Sequence, residues 1–334
     1  MLKKDIIIVG GGSAGFMVAA TLLKQLPESS ITLIESPNTP TVGVGESTIT
    51  GVKLWTKLLG INDKQFLKAT DGIYKLSIKF TDFYKKGQSF HYPFGSPVLE
   101  NNKAMLNDWW FKKILYPETP TSDYAETFYP VMSMIKNHTL DKNSGLPFNF
   151  DFDTAYHFDA TKFAHWLKEE YCIPRGLKYI QEDIVSHEVD DNGIKSLNGK
   201  YSADLFIDCT GFKALLLGDI MKVPFESYND LLPNDSAIAT KIDYTDKERQ
   251  MVPYTNCTAI ENGWVWNIPL WSRIGTGYVY SSKFVDDNTA LQQFEKHLNR
   301  KVESYKKINI KTGIHEKLWV KNVCAIGLAA GFIE

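Results

Sequence analysis

Gly10, Gly12 and Gly15 form a G-x-G-x-x-G sequence, and an acidic residue, Glu35, follows the last glycine by 20 residues. Between a strand and a helix, the first glycine permits a tight turn. The second lets the backbone approach a pyrophosphate, and the third lets helix and strand pack closely. The helix N-terminus then offers free N–H groups and partial positive charge to the phosphates. A carboxylate at the end of the next strand can accept hydrogen bonds from ribose hydroxyls. The expected ligand is a dinucleotide. A second group is aromatic: Trp264 and Trp266 alternate in a strand-like run and therefore share one sheet face. Core packing is compatible with that placement. Lys75 and Lys79 also stand an even number of residues apart, on one face of the run Ile73–Phe80 if it is a single strand.

Other chemistries find little support. Cys172, Cys209, Cys257 and Cys324 are scattered and form no CxxC pair, so reduced thiols are expected. The seven histidines show no metal-ligand spacing. His157 and His165 read as neighbours on a helix face, with no metal expected. A formal net charge of -2 indicates no basic surface for nucleic acid or an anionic membrane. The apolar run near the N-terminus is short and ends in glycines, so it reads as a buried strand rather than a signal peptide. No apolar run is long enough to cross a bilayer. A cytoplasmic protein is expected, and a homo-oligomer is compatible with the sequence.

The elements that must position these groups follow from periodicity. Asp5–Val9 and Ile31–Ile34 read as parallel strands flanking a helix from Ser13 to about Leu26. Helices are expected near Ile49–Leu59, Ala160–Tyr171 and Asn288–Leu298, and a strand over residues 73–84. Residues 85–155, rich in aromatics, Pro and Asn, show weak periodicity and read as an insertion that caps or lines a site. The C-terminal half reads mainly as strands: Ala203–Asp208, Ser236–Ile242, Thr255–Ile260, Gly263–Ile268, Gly275–Ser281 and Val323–Gly327. The expected fold class is α/β, a Rossmann-like nucleotide-binding domain with an inserted antiparallel sheet for substrate. Residues 1–84, 155–215 and 318–334 form the nucleotide part, and 85–154 and 216–317 the substrate side.

The choice of FAD over NAD comes from resemblance. Ala203–Gly211 resembles the late strand of FAD-dependent monooxygenase-type proteins, and Asn322–Ala330 resembles their strand and small-residue loop at the flavin ribityl chain. No second G-x-G-x-x-G marks a built-in NAD(P)H domain. Gly263-Trp-Val-Trp-Asn-Ile-Pro269 further resembles the GWxWxIP motif of flavin-dependent tryptophan halogenases. Gly43–Ser47, Gly72–Phe80, Phe158–Ala160, Asp208–Gly211 and Gly327–Phe332 match the same family in order. That resemblance implies FAD held by Gly10, Gly12, Ser13, Ala14, Gly15, Glu35, Ser36, Gly45, Ser47, Ile184 and Leu328. It implies FADH2 from a separate flavin reductase, and a halide ion that reduced flavin and O2 convert to hypohalous acid. Lys75 would hold hypohalous acid or be halogenated by it, with Lys79 as the fallback. An amine suits both routes: its ammonium polarises the oxidant through a hydrogen bond, and its free form reacts with it. Trp264 and Trp266 would wall the flavin side from the substrate, and His91, Tyr92 and Phe94 would sandwich an indole- or phenol-like ring. A tryptophan halogenase of the family carries His where this chain has Tyr92, a departure that puts tryptophan itself in doubt as substrate.

In that family a Phe-x-Glu segment is followed by Pro-Leu-Glu-Ser-Thr-Gly, which supplies a second glutamate and the halide site. Glu334 matches only the first glutamate. The expectation is a fragment lacking a C-terminal helical region, with an incomplete halide site and little turnover alone. The rival readings are an FAD-dependent aromatic monooxygenase, a reductase acting on an isoprenoid lipid, and a flavin-binding remnant without catalysis.

Overall fold

The computed structural model describes residues 3–39, 46–98, 105–140 and 145–333. Its first sheet has six strands in the order Trp319–Val320, Val323–Ala325, Leu205–Asp208, Asp5–Val9, Ser30–Glu35, Lys178–Gln181. All neighbours run parallel except the first pair. The central strands are apolar on both faces because both faces are covered. Ile6, Ile8 and Leu33 pack with Phe16 and with Phe163, Leu167 and Tyr171 on one side. Ile7, Val9 and Ile34 pack with Ile194, Phe206, Leu216 and Val323 on the other. Successive chain segments leave Asp5–Val9 on both sides, so the carboxyl end of this strand is a topological switch point, where such sheets bind ligands.

A second sheet has seven strands: Lys306–Asn309, Ser236–Ile242, Ile274–Tyr280, Gly263–Pro269, Tyr254–Ile260, Ser77–Thr81 and Ser89–Pro93. It is antiparallel except where Tyr254–Ile260 runs parallel to Ser77–Thr81. One face, with Ile238, Val265, Tyr278 and Tyr280, is covered by the helix Asp287–Leu298 through Ala290 and Phe294. The opposite face carries Ala237, Ala239, Trp266, Ile268 and Val279, with Trp264 beside them. A small antiparallel sheet, Glu46–Ser47, Ala155–Phe158 and Ile73–Lys75, lies between the larger two in sequence and in contacts.

Several sequence expectations change. The expected strand over 73–84 breaks at Leu76, whose N–H donates to the Pro253 carbonyl at 2.7 Å. Lys75 therefore belongs to the small sheet and Lys79 to the seven-stranded one, so a shared face cannot be inferred from their spacing. The expected nucleotide-side piece 1–84 divides at the same point. The aperiodic stretch 85–155 holds the strand Ser89–Pro93 and the helices Met105–Leu115, Asp123–Phe128 and Pro130–Lys136. His157 is in a strand and His165 on a helix, so they share no helix face. Among the described residues no group of His, Cys, Asp or Glu could hold a metal ion, and the four cysteines are free. No helix among them is long and apolar enough to cross a membrane.

Candidate active site

The glycine loop sits at the switch point. Gly10 has φ +114°, and a Cβ there would collide with the Cys209 carbonyl in the turn after Leu205–Asp208. A Cβ on Gly15 would collide with the Gly10 carbonyl. These contacts let the helix Ser13–Gln25 start directly against the sheet. Gly12 is its N-cap, and among the described residues no side chain caps it; its first turn carries no carboxylate. The first-turn N–H groups are thus free of an internal competitor for phosphate. Ser13 and Ala14 open this helix, and Gly327 comes within reach of it: a Cβ there would lie 3.0 Å from that of Ala14. That contact brings the short turn Gly327–Ala329, with Leu328, to the glycine loop.

Glu35 ends the second strand, and its carboxylate lies against Gly11, where a Cβ would strike it. The Tyr179 hydroxyl donates to one of its oxygens, fixing the group while leaving other lone pairs for ribose hydroxyls. Ser36 is engaged locally: its hydroxyl donates to Thr39 at 3.0 Å and accepts from the Asn38 N–H at 3.1 Å. Ile184 packs at the margin of the cluster around Ile34. Gly45 and Glu334 lie outside the described residues. The uncapped helix, the glycine cradle and the tethered Glu35 fit a dinucleotide such as FAD.

Lys75 is 1% exposed. Its Nζ donates to the Thr48 carbonyl at 2.8 Å and stands 5.1 Å from the centroid of the Phe94 ring. Burial pulls its amine down to about 7 from an ordinary 10.5. Near neutral pH the residue therefore holds both ammonium and free amine.

Across the sheet, Thr255 and Cys257 pair with Ile78 and Phe80, and Cys257 also pairs with Trp266. Paired residues share a face, so Trp264 and Trp266 stand on the same side as Thr255 and Cys257. Their rings meet edge to face at 6.1 Å. Trp266 is buried against Gly277, where any side chain would strike its ring, and its indole N–H has no hydrogen-bond partner among the described residues. The packing role and the wall role both fit these tryptophans.

Tyr92 and Phe94 make an edge contact at 6.3 Å, and Phe94 is buried while Tyr92 is exposed. His91 is not brought to them. It alternates with Tyr92 and points to the other face, where Ser77 lies 2.9 Å from its Nδ1 and its ring meets Tyr254 at 5.0 Å. Burial, with Lys79 nearby, holds His91 down at about 4, so it is neutral at physiological pH. A three-residue sandwich around one ring is not what the strand permits.

Sequence reading missed the hydrogen-bonded polar residues around His157. His157 is fully buried: its Nδ1 lies 3.1 Å from the Pro269 carbonyl and its Nε2 2.9 Å from Thr255 Oγ1. Thr255 Oγ1 in turn lies 2.6 Å from Ser47 Oγ. The only available signal was that His157 directly precedes Phe158-Asp159-Ala160. Asp159 caps the helix Ala160–Trp166 through the Thr161 and Lys162 N–H groups and binds Arg273 at 2.5 Å.

An FAD-type nucleotide cradle, a buried lysine on the small sheet beside it and paired tryptophans on the seven-stranded sheet are the parts of a flavin-dependent oxidising enzyme. Comparison makes this specific: the chain belongs to the tryptophan halogenase family, whose profile matches residues 5–334. This is a family of flavin-dependent halogenases. The chain is 34% identical to a tryptophan 6-halogenase, SttH, of Streptomyces toxytricini, over 98% of this chain and 67% of the relative. It is 33% identical to the tryptophan 7-halogenase RebH of Lentzea aerocolonigenes, over 98% of this chain and 66% of that one. Among solved structures, the apo form of VirX1 superposes with a TM-score of 0.93 at 41% identity, covering 100% of this chain and 66% of that one. The SttH crystal structure superposes with a TM-score of 0.90 at 32% identity, covering 99% and 68%. The chain thus spans about two thirds of the length of the proteins it matches.

Proposed function

We propose that this chain carries the flavin site and the oxidant-handling lysine of a halogenase acting on an electron-rich, indole- or phenol-like aromatic. The observation that carries this reading is the Lys75 amine, buried, held by one carbonyl and brought to about 7 by its surroundings. Bound FAD, reduced by a separate flavin reductase, would supply with O2 the oxidation of halide ion to hypohalous acid. The glycine loop through Gly10, Gly12, Ser13, Ala14 and Gly15, together with Glu35, holds the cofactor, joined by Ser36, Gly45, Ser47, Ile184 and Leu328.

Lys75 then handles the oxidant. As ammonium it donates a hydrogen bond to hypohalous acid and polarises it. As free amine it attacks the halogen: an N–X bond forms, the O–X bond breaks, and hydroxide leaves with the amine proton as water. Ring attack on that halogen restores the N–H after the ring carbon loses its proton. Trp264 and Trp266 keep the substrate from the flavin side, where it would be hydroxylated. Tyr92 and Phe94 supply flat apolar contacts for the ring; His91, on the opposite face, acts outside that contact.

The test combines the protein with FAD, NADH, a flavin reductase and each halide against a panel of indoles and phenols. It is run on the 334-residue chain and on a longer product including whatever the gene encodes beyond Glu334. Halide-dependent product masses are expected, and Lys75→Ala should lose them while still consuming oxygen. Hydroxylated product without halide, or halogenation that survives Lys75→Ala, would sink the proposal.

A further inference from the structure

The hydrogen-bonded series beside Lys75 has a defined direction. The Pro269 carbonyl only accepts, so His157 donates to it through Nδ1–H. Burial, reinforced by the charge of Lys75, keeps His157 neutral, which leaves Nε2 as an acceptor. Thr255 must then donate its hydroxyl proton to Nε2, and its oxygen receives the Ser47 O–H. The series runs Ser47 to Thr255 to His157 to Pro269 and ends on a carbonyl that can pass no proton onward. It is therefore a strut of fixed polarity rather than a proton relay.

The strut joins two sheets at the point that matters to the amine. Ser47 and His157 face each other in the small sheet, whereas Thr255 belongs to the seven-stranded one. The residue after Ser47 is Thr48, whose carbonyl is the acceptor for Lys75 Nζ. Thr48 is held along its own sheet by its N–H and hydroxyl, both donated to the Tyr156 carbonyl at 3.0 and 2.9 Å. What the Tyr156 contacts do not set is its distance from the sheet that carries Cys257 and Trp266. We propose that His157 and Thr255 are positioning residues for Lys75: through Ser47 they fix the Thr48 carbonyl, and with it the amine, against the seven-stranded sheet. The inference rests on Lys75 being the reactive amine of the proposed function.

The experiment is trace acetylation of the purified chain with acetic anhydride across a pH series, read lysine by lysine by mass spectrometry. It needs no turnover, so its failure is distinct from failure of the halogenation assay. The charged and titratable groups facing Lys75 are His157 from the strand Ala155–Phe158 and Cys257 from Tyr254–Ile260. Thr255→Val keeps the shape but removes both hydroxyl bonds, and should displace the Lys75 labelling midpoint upward by about one pH unit or more as water reaches the amine. Thr255→Ser, which retains the hydroxyl, should restore it. Thr70→Val removes an equally buried hydroxyl elsewhere and should leave it unmoved. If Thr255→Val does not fold, Ser47→Ala removes the same first bond and is read identically. A Lys75 profile that superimposes on that of the unaltered chain in the folded variant overturns the inference. So does an equal displacement in Thr70→Val, which would mark general loosening.

Discussion

At the scale of single residues, Lys75 stands out because its burial works against its charge. Its folded value, about 7, lies below the ordinary 10.5, so the unfolded chain binds more protons between those limits. Stability should accordingly rise as pH climbs from about 7 toward 10.5, and the full penalty for burying the cation should be felt below 7. Lys75→Met fills the same space without a charge and should be more stable near pH 6 by about 2–4 kcal/mol. Urea unfolding at pH 6 and pH 9 should find that gain shrinking at the higher pH. A variant no more stable than the original would mean that the amine is better solvated than its 1% exposure implies. A site that costs stability to maintain is an expected mark of function.

At the scale of elements, two strands depend on the absence of a side chain. Gly277 faces Trp266 across the pair Gly263–Pro269 and Ile274–Tyr280, and the ring occupies the volume a Cβ would need. Gly277→Val should displace Trp266 and cost about 1–3 kcal/mol of stability. The loss should be visible as a lowered urea midpoint with altered tryptophan fluorescence; unchanged fluorescence would contradict the packing. In the glycine loop, Gly10→Val would meet both the positive φ and the Cys209 carbonyl. It should abolish retention of FAD on gel filtration while the rest of the chain stays folded by circular dichroism. Element boundaries near these sites were largely readable from the sequence. Asp5–Val9 and Ser236–Ile242 fall where periodicity puts them, because a β-branched run between loop residues has one way to be buried.

At the scale of the whole molecule, the hairpin tip between Gly263–Pro269 and Ile274–Tyr280 clamps the seven-stranded sheet to the ends of two small-sheet strands, Ile73–Lys75 and Ala155–Phe158. The Trp271 N–H donates to the Asp71 carbonyl at 3.0 Å, Ser272 donates to the Asp71 carboxylate at 2.5 Å, and Arg273 pairs with Asp159. Burial raises the Asp159 carboxyl, but the Lys162 N–H and Arg273 outweigh it and hold the group below its ordinary value. This contribution is present above the unfolded value and is lost as pH falls through the folded one. Asp159→Ala would leave the partly buried Arg273 unpaired and uncap a helix, and should cost about 2–4 kcal/mol in urea unfolding. An unchanged midpoint would show that the clamp is dispensable. A cavity of about 1410 Å³ lies beside the clamp, bounded by Lys53, Asp63, Tyr74 and Trp271, and neither Lys75 nor the glycine loop lines it.

What the amino-acid order determined by itself was local: the glycine spacing, the acidic residue one strand later, the alternation of Trp264 and Trp266, and most of the strands. Each depends on neighbours within a few residues, or on a βαβ unit short enough to be read as one pattern. Only the tertiary structure decided that Leu76 ends one sheet and begins another, that His91 turns away from Tyr92, and that His157 meets Thr255. The break at Leu76 and the meeting of His157 with Thr255 depend on pairing between segments about eighty residues apart or more, such as Ala155–Phe158 with Ile73–Lys75, and the face of His91 is set by the register of Ser89–Pro93 on Ser77–Thr81, since a side chain's face changes with every one-residue change of register. The lowered proton affinity of Lys75 is tertiary in the same sense, since its cause is the water that folding removes from around the amine.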